Sequence, residues 1–220
     1  MFYLVKTPWW LKKWYGGLIW DMPHAKGDKV LYLTFDDGPH PVATPFVLEA
    51  LRRYGATGTF FCIGKNVQEY PHIYRRILEE GHRVGNHTQH HLNGWKSSDA
   101  AYLADAGQAA RYIDSDLFRP PYGRISAFQA SLLKRPPFEY QIIMWDVLSA
   151  DFDRQLHPGK CARNVIRHAR PGSIIVFHDS EKAYPRLEVA LPAVLEHFKE
   201  KGYRFDGIRP GLMRQGDKQN

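Results

Sequence analysis

The sequence predicts an α/β fold organised on a parallel sheet, either open or closed into a barrel. Strand-like and helix-like stretches alternate from Lys29 onward, about seven times, with no internal repeat and no linker between them. The helix-like stretches end at Gly81, Pro171-Gly172 and Gly202, where glycine or proline stops a helix. Titratable residues follow the strand-like runs directly, and in parallel α/β folds ligands collect at that carboxyl end of the sheet.

Each element has a local reason. Residues 29–33 are β-branched and aromatic and read as a strand. Residues 42–54 place Phe46, Val47, Ala50 and Leu51 at helical spacing. Residues 58–63 read as a strand, 68–80 as one helix with Pro71 near its start, and 83–86 as a short strand. Ser97-Ser98-Asp99 supplies the N-cap of a helix running to Ile113. Leu117 and Phe118 lead into Arg119-Pro120-Pro121-Tyr122-Gly123, which must be loop. A helix over 126–133, an apolar strand over 140–147, a helix over 158–169, a buried strand over 173–177, a helix over 187–201 and a closing strand at 203–205 complete the series.

Composition bounds the function. The 220 residues are 44% hydrophobic and 24% charged, which suits one globular domain and excludes a disordered chain. A net charge of +7 favours polyanionic partners. No Lys/Arg block or nucleic-acid motif accompanies it, so no nucleic-acid partner is expected. Cys62 lies in an apolar run and reads as a buried free thiol; with Cys161 as the only other cysteine, no redox compartment is implied. No apolar run approaches the roughly 20 residues that span a bilayer.

Residues 1–28 form an aromatic, basic segment interrupted by Lys6, Pro8, Lys12 and Lys13, unlike a secretory signal. The preferred reading is a flap whose aromatic residues pack onto the main domain. The competing one is an interfacial segment whose Trp and Lys, within residues 1–15, contact a membrane surface. The compartment and the oligomeric state are left open.

The chemistry starts at Asp36-Asp37, where the first strand ends against Gly38-Pro39. Neighbours on a strand point to opposite faces, so one carboxylate can hold a metal while the other handles a proton. The plain alternative is a turn. His87 and His91 are four apart and share a face if the backbone turns helically, although His87 and His90 are also compatible. With an Asp from another strand end they suggest a two-His-one-carboxylate site. Zinc is the expected ion, and cobalt, nickel or manganese suit the same donors. His178, at the rim of an apolar strand, reads as a general acid or as an edge histidine satisfied by Asp179. Arg119 reads as a surface cation or, among carboxylates, as the group that keeps one ionised. Trp95, Tyr122 and Phe152 can stack sugars or belong to the core.

Taken together, Thr34-Phe35-Asp36-Asp37-Gly38-Pro39, His87-Thr88-Gln89-His90-His91, Arg119-Pro120-Pro121-Tyr122-Gly123, Asp151-Phe152 and Ile175-Val176-Phe177-His178-Asp179 resemble, in order, the five motifs of the polysaccharide deacetylase family (carbohydrate esterase family 4, the NodB homology domain). The resemblance spans roughly residues 29–205. It implies a catalytic domain over 29–208, followed by a polar tail over 209–220. The implied fold is a distorted barrel of about seven strand–helix units with outer helices. Asp36 is then the catalytic base, positioned and kept ionised by Arg119. Asp37, His87 and His91 are the metal ligands, which sets His90 aside. His178 is the catalytic acid, tuned by Asp151. The Tyr122 backbone N–H serves the oxyanion, and Pro120, Phe152 and Trp95 belong to the substrate-binding surface. The implied reaction is metal-dependent removal of acetyl groups from N-acetylglucosamine units of a peptidoglycan- or chitin-like polymer, releasing acetate. Phe152 stands where the family usually carries Trp, which keeps an aromatic wall but removes an indole donor. Hydrolases of cyclic imides and ureides share the superfamily, so another C–N bond is the alternative. A non-catalytic carbohydrate-binding homologue would be expected to lose a ligand, the base or the acid, and this chain keeps all of them.

Overall fold

A computed structural model describes residues 3–209. The strands are β1 (Val30–Asp36), β2 (Thr59–Cys62), β3 (Arg83–Asn86), β4 (Leu117–Phe118), β5 (Gln141–Ile142), β6 (Val147–Leu148), β7 (Ile174–His178) and β8 (Arg204–Phe205). The helices are α1 (Trp9–Trp14), α2 (Ala43–Arg53), α3 (Gly64–Glu69), α4 (Pro71–Glu79), α5 (Asp99–Ala109), α6 (Ala127–Leu133), α7 (Pro158–His168) and α8 (Tyr184–Glu200). The strand order is β5-β4-β3-β2-β1-β7-β6, with β8 beside β1, and every pairing is parallel. The sheet curls into a partial barrel, as predicted.

Every residue of β1 is buried, and the alternation of a strand explains how. Leu31, Leu33 and Phe35 join the large core against α2, α7 and α8. Val30 and Tyr32 point the other way, into a smaller inner cluster with Phe61, Leu117, Ile143 and Ile174. Phe35 stacks on Phe60 and Phe177 at centroid distances of 5.0 and 6.2 Å, tying β2, β1 and β7 together. By the same alternation Thr34 and Asp36 continue the inner row.

Two expected elements are split. Residues 68–80 form not one helix but α3 and α4, broken at Tyr70, because Pro71 has no N–H to continue the ladder and starts a helix instead. Residues 140–147 form not one strand but β5 and β6, which do not pair with each other. The stretch between them crosses a seam in the barrel.

The seam is closed by the amino-terminal segment. Lys6 bridges Val147 and Ile19 bridges Ile143. The N–H of Leu148 donates to the Val5 carbonyl (2.8 Å), that of Thr7 to Asp146 (2.9 Å), that of Ile19 to Ile142 (2.9 Å) and that of Met144 to Ile19 (2.6 Å). The buried Asp146 carboxylate receives Lys6 (2.5 Å), Lys12 (2.6 Å) and the Ser173 hydroxyl (2.5 Å). The segment is therefore a strap built into the barrel by its backbone. The expectation that its aromatic residues pack onto the domain holds for Trp20, which is buried, and fails for Trp9, Trp10 and Trp14, which are 75%, 53% and 80% exposed. Their helix is held by Lys12, paired with Asp146 and Asp21, and not by its indoles.

The expected tail lies outside the described residues, apart from Arg209. Among the described residues no helix is long and apolar enough to cross a membrane. Cys62 and Cys161 are both buried free thiols.

Candidate active site

β1 delivers Asp36 on its inner face and then ends. Asp37 follows with φ 82°, a left-handed conformation that costs a non-glycine residue about 1–3 kcal/mol and persists only where its surroundings enforce it. Here three contacts do so. The Asn66 side chain donates to the Asp37 carbonyl (2.7 Å), the Ile63 N–H donates to the Gly38 carbonyl (2.9 Å), and the Gly38 N–H donates to Asp179 Oδ1 (3.0 Å). A Cβ at Gly38 would lie 2.1 Å from Asp179 Oδ2, so only glycine fits.

The turn aims Asp37 at two histidines from the loop after β3. His91 Nε2 is 3.2 Å and His87 Nε2 3.8 Å from Asp37 Oδ1. The two rings do not share a face through a helical turn, as the spacing suggested. The backbone from His87 to His91 is irregular, with Thr88 at φ 63° and His91 at φ 57°, and the rings converge at a centroid distance of 5.0 Å. His90 is turned away and pairs with Asp105 at 2.6 Å. His87 Nδ1 lies 2.7 Å from the Arg119 carbonyl, which can only accept, so Nδ1 carries the proton and Nε2 keeps its lone pair.

Burial pushes the His87 pKa down to about 4, against the pull of Asp36 and Asp37, leaving a neutral imidazole. Burial alone would raise Asp37, but the neighbouring His91 and the charge of His178 hold it well below the usual carboxylate range. Asp37 Oδ1 is buried and makes no hydrogen bond. One ionised oxygen without a donor and two imidazole nitrogens, all within 4.8 Å, are a donor set for a divalent cation.

Beside this cluster stand two charge pairs, Asp36 with Arg119 and His178 with Asp151. Asp36 Oδ1 receives Arg119 Nη1 at 2.7 Å. Arg119 is wholly buried. Nη1 also donates to Thr34 Oγ1 (2.7 Å), Nε to the Ile143 carbonyl (3.1 Å) and Nη2 to the Met144 carbonyl (2.9 Å), while the guanidinium lies 4.0 Å from the Phe61 ring centroid. The break between β5 and β6 thus has a purpose: it turns two carbonyls onto the arginine.

His178 is the register partner of Asp36 across β1 and β7, so the two stand at adjacent strand ends. Its Nδ1 is 2.8 Å from Asp151 Oδ1, and its N–H donates to Asp151 Oδ2 at 2.8 Å. The alternative partner, Asp179, does not touch it; that carboxylate is turned to Gly38 and to Thr44 Oγ1 (2.5 Å). Burial disfavours charge on His178, and Asp151, Asp37 and Asp36 overcome it, raising its pKa to about 9. A cation at the cluster would lower it from there.

If His178 serves as the general acid, activity should hold up to its pKa and be lost above it. Asp151→Asn removes the main stabiliser of the imidazolium. Its alkaline limb of kcat/KM should move down by about 1–3 pH units, the usual effect of one adjacent charge. A pH–rate profile checks this; an unmoved limb would separate Asp151 from the acid.

Tyr122 sits at φ 60° in the turn Pro121–Gly123, which follows the buried Pro120, and its ring meets His91 edge-on at 4.5 Å. Phe152 meets His178 at 5.4 Å and Tyr3 of the strap at 5.4 Å. Trp95 is exposed; its indole N–H donates to the Ile125 carbonyl (3.1 Å), and Arg124 lies 5.2 Å over its ring.

Sequence reasoning missed four contributors: Thr34, Asp179 as the anchor of the Asp37 turn, Trp145, whose ring would meet a Cβ at Gly123 within 2.5 Å, and the buried Arg186, which donates to the Asp151 carbonyl at 2.5 Å. Thr34 and Asp179 lie inside the quoted motifs, which was the available signal; Arg186 carried none.

Comparison with known proteins identifies the family. The family model described as polysaccharide deacetylase matches residues 24–140, a span that holds Asp36, Asp37, His87, His91 and Arg119. A peptidoglycan-N-acetylglucosamine deacetylase of Bacillus cereus is 34% identical over 197 residues, covering 86% of this chain and 90% of that protein. A chitooligosaccharide deacetylase of Azorhizobium caulinodans is 34% identical over 156 residues, 68% of this chain and 73% of that protein. The crystal structure of the Bc1960 peptidoglycan N-acetylglucosamine deacetylase has a TM-score of 0.80 at 28% identity, covering 94% of this chain and 96% of that one. At 94% of the chain, that last match extends well past residue 140. Likeness at this level over nearly the whole length makes the chain a member of the polysaccharide deacetylase family and a hydrolase of acetyl groups on polysaccharide.

Proposed function

We propose that this deacetylase removes acetyl groups from N-acetylglucosamine units of peptidoglycan, with chitin-like oligomers as the second substrate class, and that zinc occupies the Asp37–His87–His91 cluster. The observation that carries this is the placement of Asp36 with Arg119 and His178 with Asp151 at adjacent strand ends beside one donor set. Similarity to proteins named for peptidoglycan supports the polymer, and a net charge of +7 suits an anionic wall.

When bound, a divalent cation supplies Lewis acidity and lowers the pKa of its water from about 16 towards about 7. The chain's own residues do the rest. Asp36 has Oδ1 engaged by Arg119, so Oδ2 takes the proton of the attacking water. The Tyr122 backbone N–H, in its left-handed turn beside His91, serves the developing oxyanion. His178 has Nδ1 on Asp151, so Nε2 protonates the departing amine. Acetate and a free amino sugar leave. The exposed Tyr122 ring and the Phe152 ring offer faces for sugar stacking.

The test is acetate release from peptidoglycan fragments and from chitooligosaccharides, on chelated enzyme with and without added zinc. Chelation should abolish release and zinc restore it, with peptidoglycan fragments turned over faster. Zinc bound with no release from either class would overturn the substrate assignment and direct the search to cyclic imides and ureides.

A further inference from the structure

The strap has a fixed inner face and a bare outer one. α1 reads Trp-Trp-Leu-Lys-Lys-Trp, a composition that ordinarily turns indoles inward and ammonium groups to water. The structure turns the three indoles out and one of the two lysines, Lys12, in. Lys12 is held between Asp146 and Asp21, Lys6 reaches the same Asp146, and the backbone on both sides of α1 is bonded into the seam. These contacts fix the roll of the helix. Leu11 and Lys12 are partly covered, while Trp9, Trp10, Lys13 and Trp14 face out. Trp10 and Trp14 lie in one i, i+4 row and Trp9 and Lys13 in the next, so a cation stands among three indoles. Rolling α1 to bury the indoles would break the Lys12 pairs. Among the described residues nothing covers this face.

We propose that it docks the protein onto an anionic lipid bilayer at headgroup level. Indoles favour the membrane–water interface, where the ring is covered and the N–H stays wet. Lys13 and the net charge of +7 complement anionic headgroups. A second copy of the chain fits less well. Indoles bury about 150–250 Å² each, so three at these exposures offer roughly 300–500 Å². A stable protein interface takes about 800 Å² per partner. A glycan fits less well too, because the face is a convex helix surface and not a cleft with converging polar groups. One short helix and one free lysine make the attachment reversible and salt-sensitive.

The experiment uses the full chain with phosphatidylcholine vesicles, with and without phosphatidylglycerol, read by co-sedimentation and by tryptophan emission. The chain should sediment with the anionic vesicles at low salt and its emission should shift to the blue. The triple variant W9S/W10S/W14S should lose about tenfold in partitioning, equivalent to about 1.4 kcal/mol. Lys13→Ser should weaken binding to anionic vesicles alone. Acetate release from soluble oligosaccharide and thermal melting should stay at wild-type values in both variants. Wild-type chain that remains in the supernatant at low salt overturns the proposal, as does a triple variant that binds as well as wild type. A wild-type dimer that the triple variant dissociates, without vesicle binding, would give the face to a second copy. Retention on insoluble glycan that the variant loses, without vesicle binding, would give it to the wall.

Discussion

Asp36→Asn should reduce kcat for acetate release by about 10²–10⁴-fold, the usual worth of a positioned general base. The substitution keeps an oxygen that can accept from Arg119 but removes the carboxylate to which the proposed mechanism assigns the proton. Asp37, His87 and His91 are untouched, so zinc content should match wild type, and that measurement separates loss of the base from loss of the metal. Some stability should go as well. Arg119 would keep Thr34 and two carbonyls but lose its counter-charge, and a weakened buried hydrogen bond costs about 1–3 kcal/mol. A zinc-loaded variant that retains wild-type kcat would remove Asp36 from the mechanism.

Arg119→Met should cost about 3–5 kcal/mol of folding free energy, because it strands a buried carboxylate. Met fills much of the same volume and keeps the contact with Phe61. It leaves Asp36, Thr34 and the Ile143 and Met144 carbonyls without their shared donor. The double variant D36N/R119M removes both charges and should be more stable than the sum of the single losses, since residues in direct contact couple by about 0.5–3 kcal/mol. Urea denaturation of the four proteins measures the cycle. If Arg119→Met alone fails to fold, recovery of a folded double variant carries the same information. Additive losses would mean that the pair does not act as a unit.

The parts of the site legible in sequence are those whose chemistry is local. Two carboxylates at a strand end, two histidines at short spacing and an arginine before a proline pair announce themselves. Roles that depend on distant backbone do not. The acceptors of Arg119 are carbonyls from a broken strand, and a carbonyl leaves no mark in a sequence. The partner of His178 was ambiguous for a related reason. Asp179 is next in the chain but is turned to the Asp37 loop, while Asp151 arrives beside His178 from the end of β6. Adjacent Asp36 and Asp37 reach different neighbours because β1 ends between them: alternation sets Asp36 on the inner face, and the left-handed turn aims Asp37 at the histidines. The single helix expected over 68–80 failed at Pro71, whose ring overrode an otherwise helical pattern. The strap was the least legible element. Its place depends on backbone pairing with residues more than a hundred positions away, and its lysine-inward helix contradicts what its composition suggests.

That pairing has a consequence for biosynthesis. Lys6 and Asp146, which hold the strap, are 140 positions apart. Translation releases the strap first and its docking site much later, after most of the sheet has been made. Until then β5 and β6 are absent or stand as unpaired edges, the sort of edge that recruits other chains. Contacts this remote in sequence also form late in folding, because the loop they close must be ordered first. Until residues 141–148 are made, the strap has no partner for these bonds. Docking of the strap is what closes both edges in the folded domain.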